Sequence, residues 1–422
     1  MRHGSPSFSY NSALRGEKRD PDIGEVKEID GFGATTFTTA QVLSSTENGK
    51  KWVIIEGKVY DLAPLFVQHM HPGGLHVLSA LLGRDATDPF LNSHPASTRS
   101  MLPQYELGAV SDYIVDAPTA AYRTLRSQLQ AEGTLSKGGC PAYYAATTSR
   151  IVGCASILAG LLLSTRAWEA HLLGAVLLGI FWQQLAFVGH DLGHSGISGS
   201  RAVDAFRGLL FGPALTGISF SWWKATHNAH HVSTNSAELD PDVQHMPLIA
   251  MSPHFFGSLW SHFHAKRMFF SSCTRIMVKR QHLFFFPLMF WARWNLYFQG
   301  VCDLALGAHT QAGGCGAEAL ALLFFFTWVS CAVCLVGRGQ DSVLGALLVR
   351  LAFLIISNGV AGGLHMQIVL SHFSQPITLK EAAPSVSFLE GQLSGTLNIV
   401  MPPELDFLFG GLQFQIEHHV RP

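Results

Sequence analysis

The sequence predicts a small α+β domain followed by an all-α, multi-pass membrane domain. About four transmembrane helices are expected, with a histidine-rich cap on one membrane face. Three observations lead there. Hydrophobic residues make up 48% of the chain and charged residues only 14%, well below the roughly 25% of a soluble domain. The composition breaks near residue 115, with mixed strand and helix signals before it and long apolar runs after it. The 21 histidines are gathered into clusters. A net charge of −1 gives no electrostatic case for a nucleic-acid partner.

Residues 1–35 are polar and mixed in charge, and they lack the apolar core of a signal peptide. They are read as a flexible tail. In the small domain, residues 36–115, the run Trp52-Val53-Ile54-Ile55 precedes Gly57-Lys58-Val59-Tyr60, which suggests strand, turn, strand. Residues 116–140, with Pro118 and Gly133, suit a linker containing a short helix. The membrane domain is placed at 141–422.

Within it, residues 151–163 with their flanks, 167–188, 317–336 and 343–370 each approach or exceed the ~20 residues a helix needs to cross a bilayer. Residues 205–220 and 283–306 are apolar but interrupted by Gly, Pro, Arg and Asn. They are read as in-plane or re-entrant segments, or as buried helices at the membrane face. Cys331 and Cys334 have C-x-x-C spacing inside an apolar run and are read as small packed core residues. Lys266, Arg267, Arg275, Lys279 and Arg280 between the second and third crossings place that loop on the cytoplasmic side. Four crossings then return the N-terminal domain, this loop and the C-terminal tail to one face.

The first domain carries His71-Pro72-Gly73-Gly74 and His94-Pro95. Two neutral imidazoles can occupy both axial positions of a haem iron, and such a site moves electrons rather than activating O₂. His69 and His76 are read as surface residues. Three further clusters lie in the second domain: His190-Asp-Leu-Gly-His194, His227-Asn-Ala-His230-His231, and Gln415-Ile-Glu-His418-His419. Residues i, i+3 and i+4 share a helix face. One histidine on an apolar helix is more often structural, but seven on one membrane face are costly to explain that way. So many nitrogen ligands suggest two metal ions, and an attached electron-transfer domain points to iron rather than zinc. Asp191, Asp240, Asp242 and Glu417 are candidate partners for the outer ring nitrogens. His365 and His372 share a face at the end of the fourth run, and His372 lies closer to the expected metal level.

Residues 36–115, with W-V-I-I-E-G-K-V-Y-D-L, the His-Pro-Gly-Gly turn, G-R-D-A-T and His94, resemble cytochrome b5. The resemblance implies haem b held by His71 and His94. The three histidine boxes resemble those of the membrane fatty-acyl and sphingolipid desaturases. Gln415 in the third box, together with the N-terminal haem domain, resembles the front-end desaturases, which insert a double bond on the head-group side of the chain. S-W-W-K-A-T-H-N-A-H-H and D-F-L-F-G-G-L-Q-F-Q-I-E-H-H extend the match. L-H-M-Q-I-V-L-S-H-F and F-W-Q-Q-L-A-F-V-G-H-D-L-G-H lean toward the sphingolipid long-chain-base Δ8 branch, with acyl Δ6, Δ5 and Δ4 enzymes next.

The resemblance implies two non-haem irons held by His190, His194, His227, His230, His231, His418 and His419. His372 is added as the family's additional histidine and Gln415 as a further contributor. It also implies NADH–cytochrome b5 reductase or an equivalent electron donor, O₂, and a lipid substrate that is a ceramide, long-chain base or acyl lipid. The expected location is the endoplasmic reticulum membrane, with both sites cytosolic. The chain would lie in an apolar tunnel, with Trp222 and Trp223 at its mouth or at the interface. A related hydroxylase and a catalytically dead haem protein are the competing classes. Family members continue past the third box, so the end at Val420-Arg421-Pro422 is read as truncated, with His418 and His419 less firmly held.

Overall fold

The computed structural model describes residues 35–68, 71–135, 138–307, 314–379 and 385–421. His69 and the tail before residue 35 lie outside them.

The first domain is built on a four-stranded sheet. β1 (Thr36–Phe37), β2 (Trp52–Ile55), β3 (Lys58–Asp61) and β4 (Glu106–Val110) are ordered β1-β4-β3-β2. β2 and β3 form the expected hairpin, antiparallel from Trp52↔Asp61 to Ile55↔Lys58. Glu56 and Gly57 between them both have left-handed φ, the conformation a two-residue hairpin turn requires. Four short helices complete the domain: α1 (Thr39–Ser45), α2 (Ala63–Gln68), α3 (Leu75–Leu81) and α4 (Thr87–Ser93). One core joins Val53, Ile55, Tyr60 and Leu62 of the sheet to Leu78, Leu81 and Ala86.

The linker is dominated by α5 (Ala117–Ala131), which folds back onto the haem domain. Arg123 grips the buried Asp88 with two bonds of 2.9 Å. A bidentate pair of this kind has defined geometry and fixes α5 against α4.

The second domain is helical. α6 (Pro141–Ser164), α7 (Trp168–Gly193), α12 (Gly314–Leu335) and α13 (Val343–Phe373) are long and apolar enough to cross a membrane. At 1.5 Å per residue α7 is about 39 Å long, against a hydrocarbon core of ~30 Å. Between α7 and α12 lie α8 (Arg201–Leu209), a π-helical turn (Leu210–Ala214), α9 (Phe220–Val232), the hairpin β5 (Leu259–Ser261)–β6 (Lys266–Met268), α10 (Ser272–Val278) and α11 (Gln281–Leu306). After α13 come α14 (Phe388–Gly395) and α15 (Gln415–Val420).

Three sequence expectations change here. Residues 283–306 are not broken, since α11 runs through Pro287, Arg293 and Asn295 as one helix. Its contacts descend α13 as α11 advances, from Phe285 against Phe373 to Tyr297 against Asn358. Arg293 is tolerated because it donates to Tyr297 Oη (2.8 Å) and Thr216 O (2.6 Å) and lies over Trp182. Cys331 and Cys334 face outward from α12 rather than into a core. His76 is partly buried, its ring 4.6 Å from Phe263, because the second domain covers it.

Residues 205–220 form the end of α8, a π-helical turn and the approach to α9. The π-turn packs into the bundle, where Gly217 abuts Phe325 and Trp328 donates to Ala214 O (3.0 Å). The bundle core joins Leu178, Trp182 and Leu185 of α7 to Phe325 and Phe353. Close approach of α7 and α13 rests on Gly179, where a Cβ would fall 2.5 Å from Val360 and 2.7 Å from Ser357 O. Gly179→Leu is therefore expected to destabilise the bundle by at least the ~1–3 kcal/mol of ordinary overpacking. Thermal unfolding in detergent should show the loss while the haem spectrum persists. An unchanged transition would remove Gly179 from the packing seam.

Candidate metal centre and haem site

His71 follows α2 and His94 caps the end of α4. Their ring centroids are 5.9 Å apart. His71 Nδ1 lies 3.3 Å from Gly74 O and His94 Nδ1 lies 3.0 Å from Phe90 O. With Nδ1–H donated to a carbonyl, each ring is left with a bare Nε2, an atom free to bind a haem iron. Burial is the main reason the His71 pKa falls to about 4, with His94 adding to it, and burial likewise lowers His94. Arg201 of the second domain acts in the same direction on both. Two neutral, oriented imidazoles facing one another in an apolar crevice fit a bis-histidine haem.

The second site gathers all eight predicted histidines. His190 lies in the last turn of α7 and His194 caps it. His227, His230 and His231 lie on α9, His372 ends α13, and His418 and His419 lie on α15. Three groups have mutually close ligand atoms: His190, His194, His227 and His418; His230, His372 and His419; and His231, His418 and His419. His227 Nε2 lies 3.0 Å from His194 Nε2, 3.2 Å from His190 Nε2 and 3.0 Å from His231 Nε2. One ring nitrogen cannot exchange protons with three others at once. Convergent nitrogens of this kind are satisfied by a cation.

The outer nitrogens of His190, His230, His372 and His419 are held, whereas that of His231 is buried without a partner. His190 Nδ1 is 3.2 Å from Asp191 Oδ1, and Tyr144 Oη donates to Asp191 Oδ2 (2.9 Å). His230 Nδ1 is 2.8 Å from Asp240 Oδ2. His372 Nδ1 faces Gly395 O at 2.9 Å, which leaves its buried Nε2 without a partner. His419 Nδ1 is 3.1 Å from both Thr234 Oγ1 and Gln392 Oε1. His419 thus has two acceptors for its outer nitrogen. These contacts orient metal ligands in the usual way.

Among the proposed carboxylate partners, Asp191 and Asp240 reach histidines. Glu417 accepts from Asn398 (2.7 Å) instead, and Asp242 donates its backbone N–H to Asp240 (2.9 Å). His365 joins none of the three groups, and neither does Gln415, which is buried with Nε2 committed to Leu412 O (2.8 Å). Trp223 stacks on His227 at 4.5 Å, while Trp222 is buried in α9. Gly193 makes room for Trp223, since a Cβ there would meet its ring at 2.2 Å. Sequence reasoning missed Thr234, Gln392, Tyr144 and the Gly395 carbonyl. Only Thr234 had a local signal, four residues after His230 and just past the end of α9.

Burial, reinforced by neighbouring imidazoles, holds His194, His227, His231, His418 and His419 well below the usual histidine range, so all are neutral donors. His230 differs. Burial opposes its charge, but Asp240 outweighs burial and pushes it up to about 9.

With this geometry in view, similarity to known proteins is specific. Residues 166–422 match the family described as "Fatty acid desaturase". The chain belongs to the fatty acid desaturase family. Residues 38–111 match "Cytochrome b5-like Heme/Steroid binding domain". Delta(8)-fatty-acid desaturase 2 of Arabidopsis thaliana is 35% identical over 386 residues, covering 91% of this chain and 83% of the relative. The Acyl-lipid (9-3)-desaturase of Borago officinalis is 35% identical over 397 residues, covering 92% and 83%. A Delta 8-(E)-sphingolipid desaturase of Emericella nidulans is 35% identical over 308 residues, covering 71% and 53%. This desaturase is thus a cytochrome b5-fused, front-end membrane oxidoreductase, similar to the Δ8 desaturases. Its haem domain implies bound haem and an electron donor, and its family a lipid substrate.

With its pKa pushed up to about 9, His230 is expected to hold a second ring proton at pH 7 in the metal-free desaturase, which an incoming metal must displace. Metal affinity is therefore expected to rise as pH climbs toward 9 and to level off above it. Calorimetry in buffers of different ionisation enthalpy should detect proton release at pH 7. Asp240→Asn should sharply reduce that release, because only the weaker pull of Asp242 would then oppose burial at His230. An equal release in both proteins would dissolve the assigned pair.

Proposed function

We propose that this desaturase introduces the Δ8 double bond into a sphingolipid long-chain base, using O₂ and electrons delivered through its own haem domain. The observation that carries the reading is the joining of a bis-histidine haem crevice to a site of eight convergent, oriented imidazoles. An unactivated C–H bond is beyond side-chain acids and bases, so the chemistry belongs to the bound group. Two non-haem irons held at the three histidine groups would supply O₂ reduction.

The chain's own residues have definable tasks. His71 and His94 hold the haem. His190, His194, His227, His230, His231, His372, His418 and His419 hold the metal, and Asp191, Asp240, Thr234, Gln392 and Gly395 keep those rings aimed. Trp223 walls the metal-ligand rings on one side. The haem domain and the histidine-bearing ends of α7, α9, α13 and α15 face the cytosol, with NADH–cytochrome b5 reductase or an equivalent donor supplying electrons at the endoplasmic reticulum. Docking of the haem domain against Phe263, Val386 and Val420 supports a shared face.

An acyl substrate is the second reading, favoured by the similarity to the Acyl-lipid (9-3)-desaturase over 92% of this chain. Expression in a host lacking both products, with lipid profiling of long-chain bases and acyl chains, separates the two. A new Δ8 long-chain base is expected, whereas new acyl unsaturation alone would reverse the choice. A hydroxylated product of unchanged saturation would reject desaturation. His194→Ala, His230→Ala and His419→Ala are each expected to eliminate product while leaving the haem spectrum intact. Retained product in two of the three would defeat the metal assignment. His71→Ala and His94→Ala should each abolish the low-spin bis-imidazole spectrum, because one axial position is emptied.

A further inference from the structure

The end of the helix that presents a haem ligand touches the end of the helix that presents metal ligands. Asn92, two residues before His94, donates Nδ2–H to Val420 O at 2.8 Å, and Val420 directly follows His419. In return Arg421 Nη1 donates to Asn92 O at 3.2 Å. Tyr122 Oη on α5 lies 2.9 Å from Val420 O and 3.0 Å from Asn92 Nδ2, closing a triangle of polar atoms. Arg126 donates to Leu91 O, and Arg123 holds Asp88, so α4 is braced along its length.

Both ends of this joint are fixed to rings. His94 is pinned to Phe90 O of α4. His419 is pinned to Thr234 and Gln392. The haem crevice also lies toward the second domain, where Arg201 bears on both of its histidines. Electronic coupling falls off less steeply through covalent and hydrogen bonds than across van der Waals gaps. α15 also serves two histidine groups at once, since His418 reaches the group around His190 and His419 the group around His372.

We propose that electrons enter the metal site through this joint, from His94 along the backbone to Asn92, across the Asn92–Val420 hydrogen bond, and into His419, with the haem domain docked throughout the transfer. This rests on the function proposed above. Each transfer takes one electron from a ferrous haem, leaving it ferric, and reduces one ferric ion of the metal site to ferrous. Two such electrons, O₂, two protons and the two hydrogens of a –CH₂–CH₂– unit yield –CH=CH– and two waters. A flavoprotein reductase oxidising NADH supplies the electrons.

The test uses the full-length, haem- and iron-loaded protein in lipid nanodiscs. The haem is reduced photochemically, substrate and O₂ are mixed in, and the ferrous-to-ferric change is followed by stopped-flow absorbance. Asn92→Leu/Tyr122→Phe is expected to slow reoxidation severalfold. Its haem spectrum, midpoint potential, iron content and rate of reduction by the reductase should match wild type. Tyr122→Phe alone keeps the Asn92 bond and should stay near the wild-type rate. Reoxidation at the wild-type rate in the double variant overturns the route. If the double variant loses iron, Asn92→Cys/Arg421→Cys takes its place, joined by a short bis-methanethiosulfonate reagent that spans the joint and is released by reduction. Sustained reoxidation in the bridged protein supports transfer from the docked position. A rate that collapses on bridging and recovers on reduction of the bridge overturns it. Wild-type haem that substrate, O₂ and iron together fail to reoxidise would sink the proposed function itself, a separate outcome from losing the route.

Discussion

An imidazole presents one nitrogen usefully only when the other is held, and this constraint governs both sites of the desaturase. His71 and His94 are held by Gly74 O and Phe90 O. At the metal site the same task falls to Asp191, Asp240, Gly395 O, and the pair Thr234 and Gln392. Each of these holders is an acceptor for Nδ1–H, so the tautomer and the aim of the six rings they hold are set together. Because the rings are buried, an unheld one would leave a polar atom unsatisfied, at about 1–3 kcal/mol. The orphaned Nε2 of His372 and Nδ1 of His231 are what remains to be satisfied at the metal site.

Rigid placement of these holders explains much of the surrounding architecture. α9 carries three of the eight histidines, and its N-terminus is anchored in the membrane bundle. Ser219 Oγ donates to the buried Glu318 Oε1 at 2.6 Å, and Ser221 donates to the same carboxylate through its backbone N–H (3.2 Å) and its hydroxyl. A carboxylate at a helix N-terminus meets the orphan N–H groups and the positive end of the dipole there. At the other end of α9, Gln392 Nε2 donates to His231 O at 2.9 Å, which ties the helix to α14. α14 thus touches three ligands from one short segment: His231 and His419 through Gln392, and His372 through the Gly395 carbonyl.

Much of this was legible in the sequence. The i, i+4 spacing of His190 and His194 and the H-N-A-H-H run announce shared helical faces, because side-chain direction on a helix follows from spacing alone. The four long apolar runs announce membrane helices because their length must match the bilayer. α11 was misread because Pro287, Arg293 and Asn295 look like interruptions. Pro287 lies past the first turn of α11, yet the helix continues through it, and Arg293 finds its partners on Tyr297 and on the Thr216 carbonyl ahead of α9. Those partners are distant in sequence, so no local pattern could reveal them.

The sequence by itself pointed to a haem domain ahead of a membrane domain through its composition, to His71 and His94 as a haem pair through the resemblance to cytochrome b5, and to the histidines of the three boxes through their helical spacing. Only the tertiary structure decided which carboxylates serve, excluding Glu417 and keeping Asp240, and which non-acidic groups join them, bringing in Thr234, Gln392 and Gly395 O. It alone placed Asn92 against Val420, 328 residues away in the chain. An orienting hydrogen bond needs only one acceptor at about 3 Å. Any carbonyl, hydroxyl or carboxylate supplies it, so its identity leaves almost no mark on sequence pattern until the chain has folded.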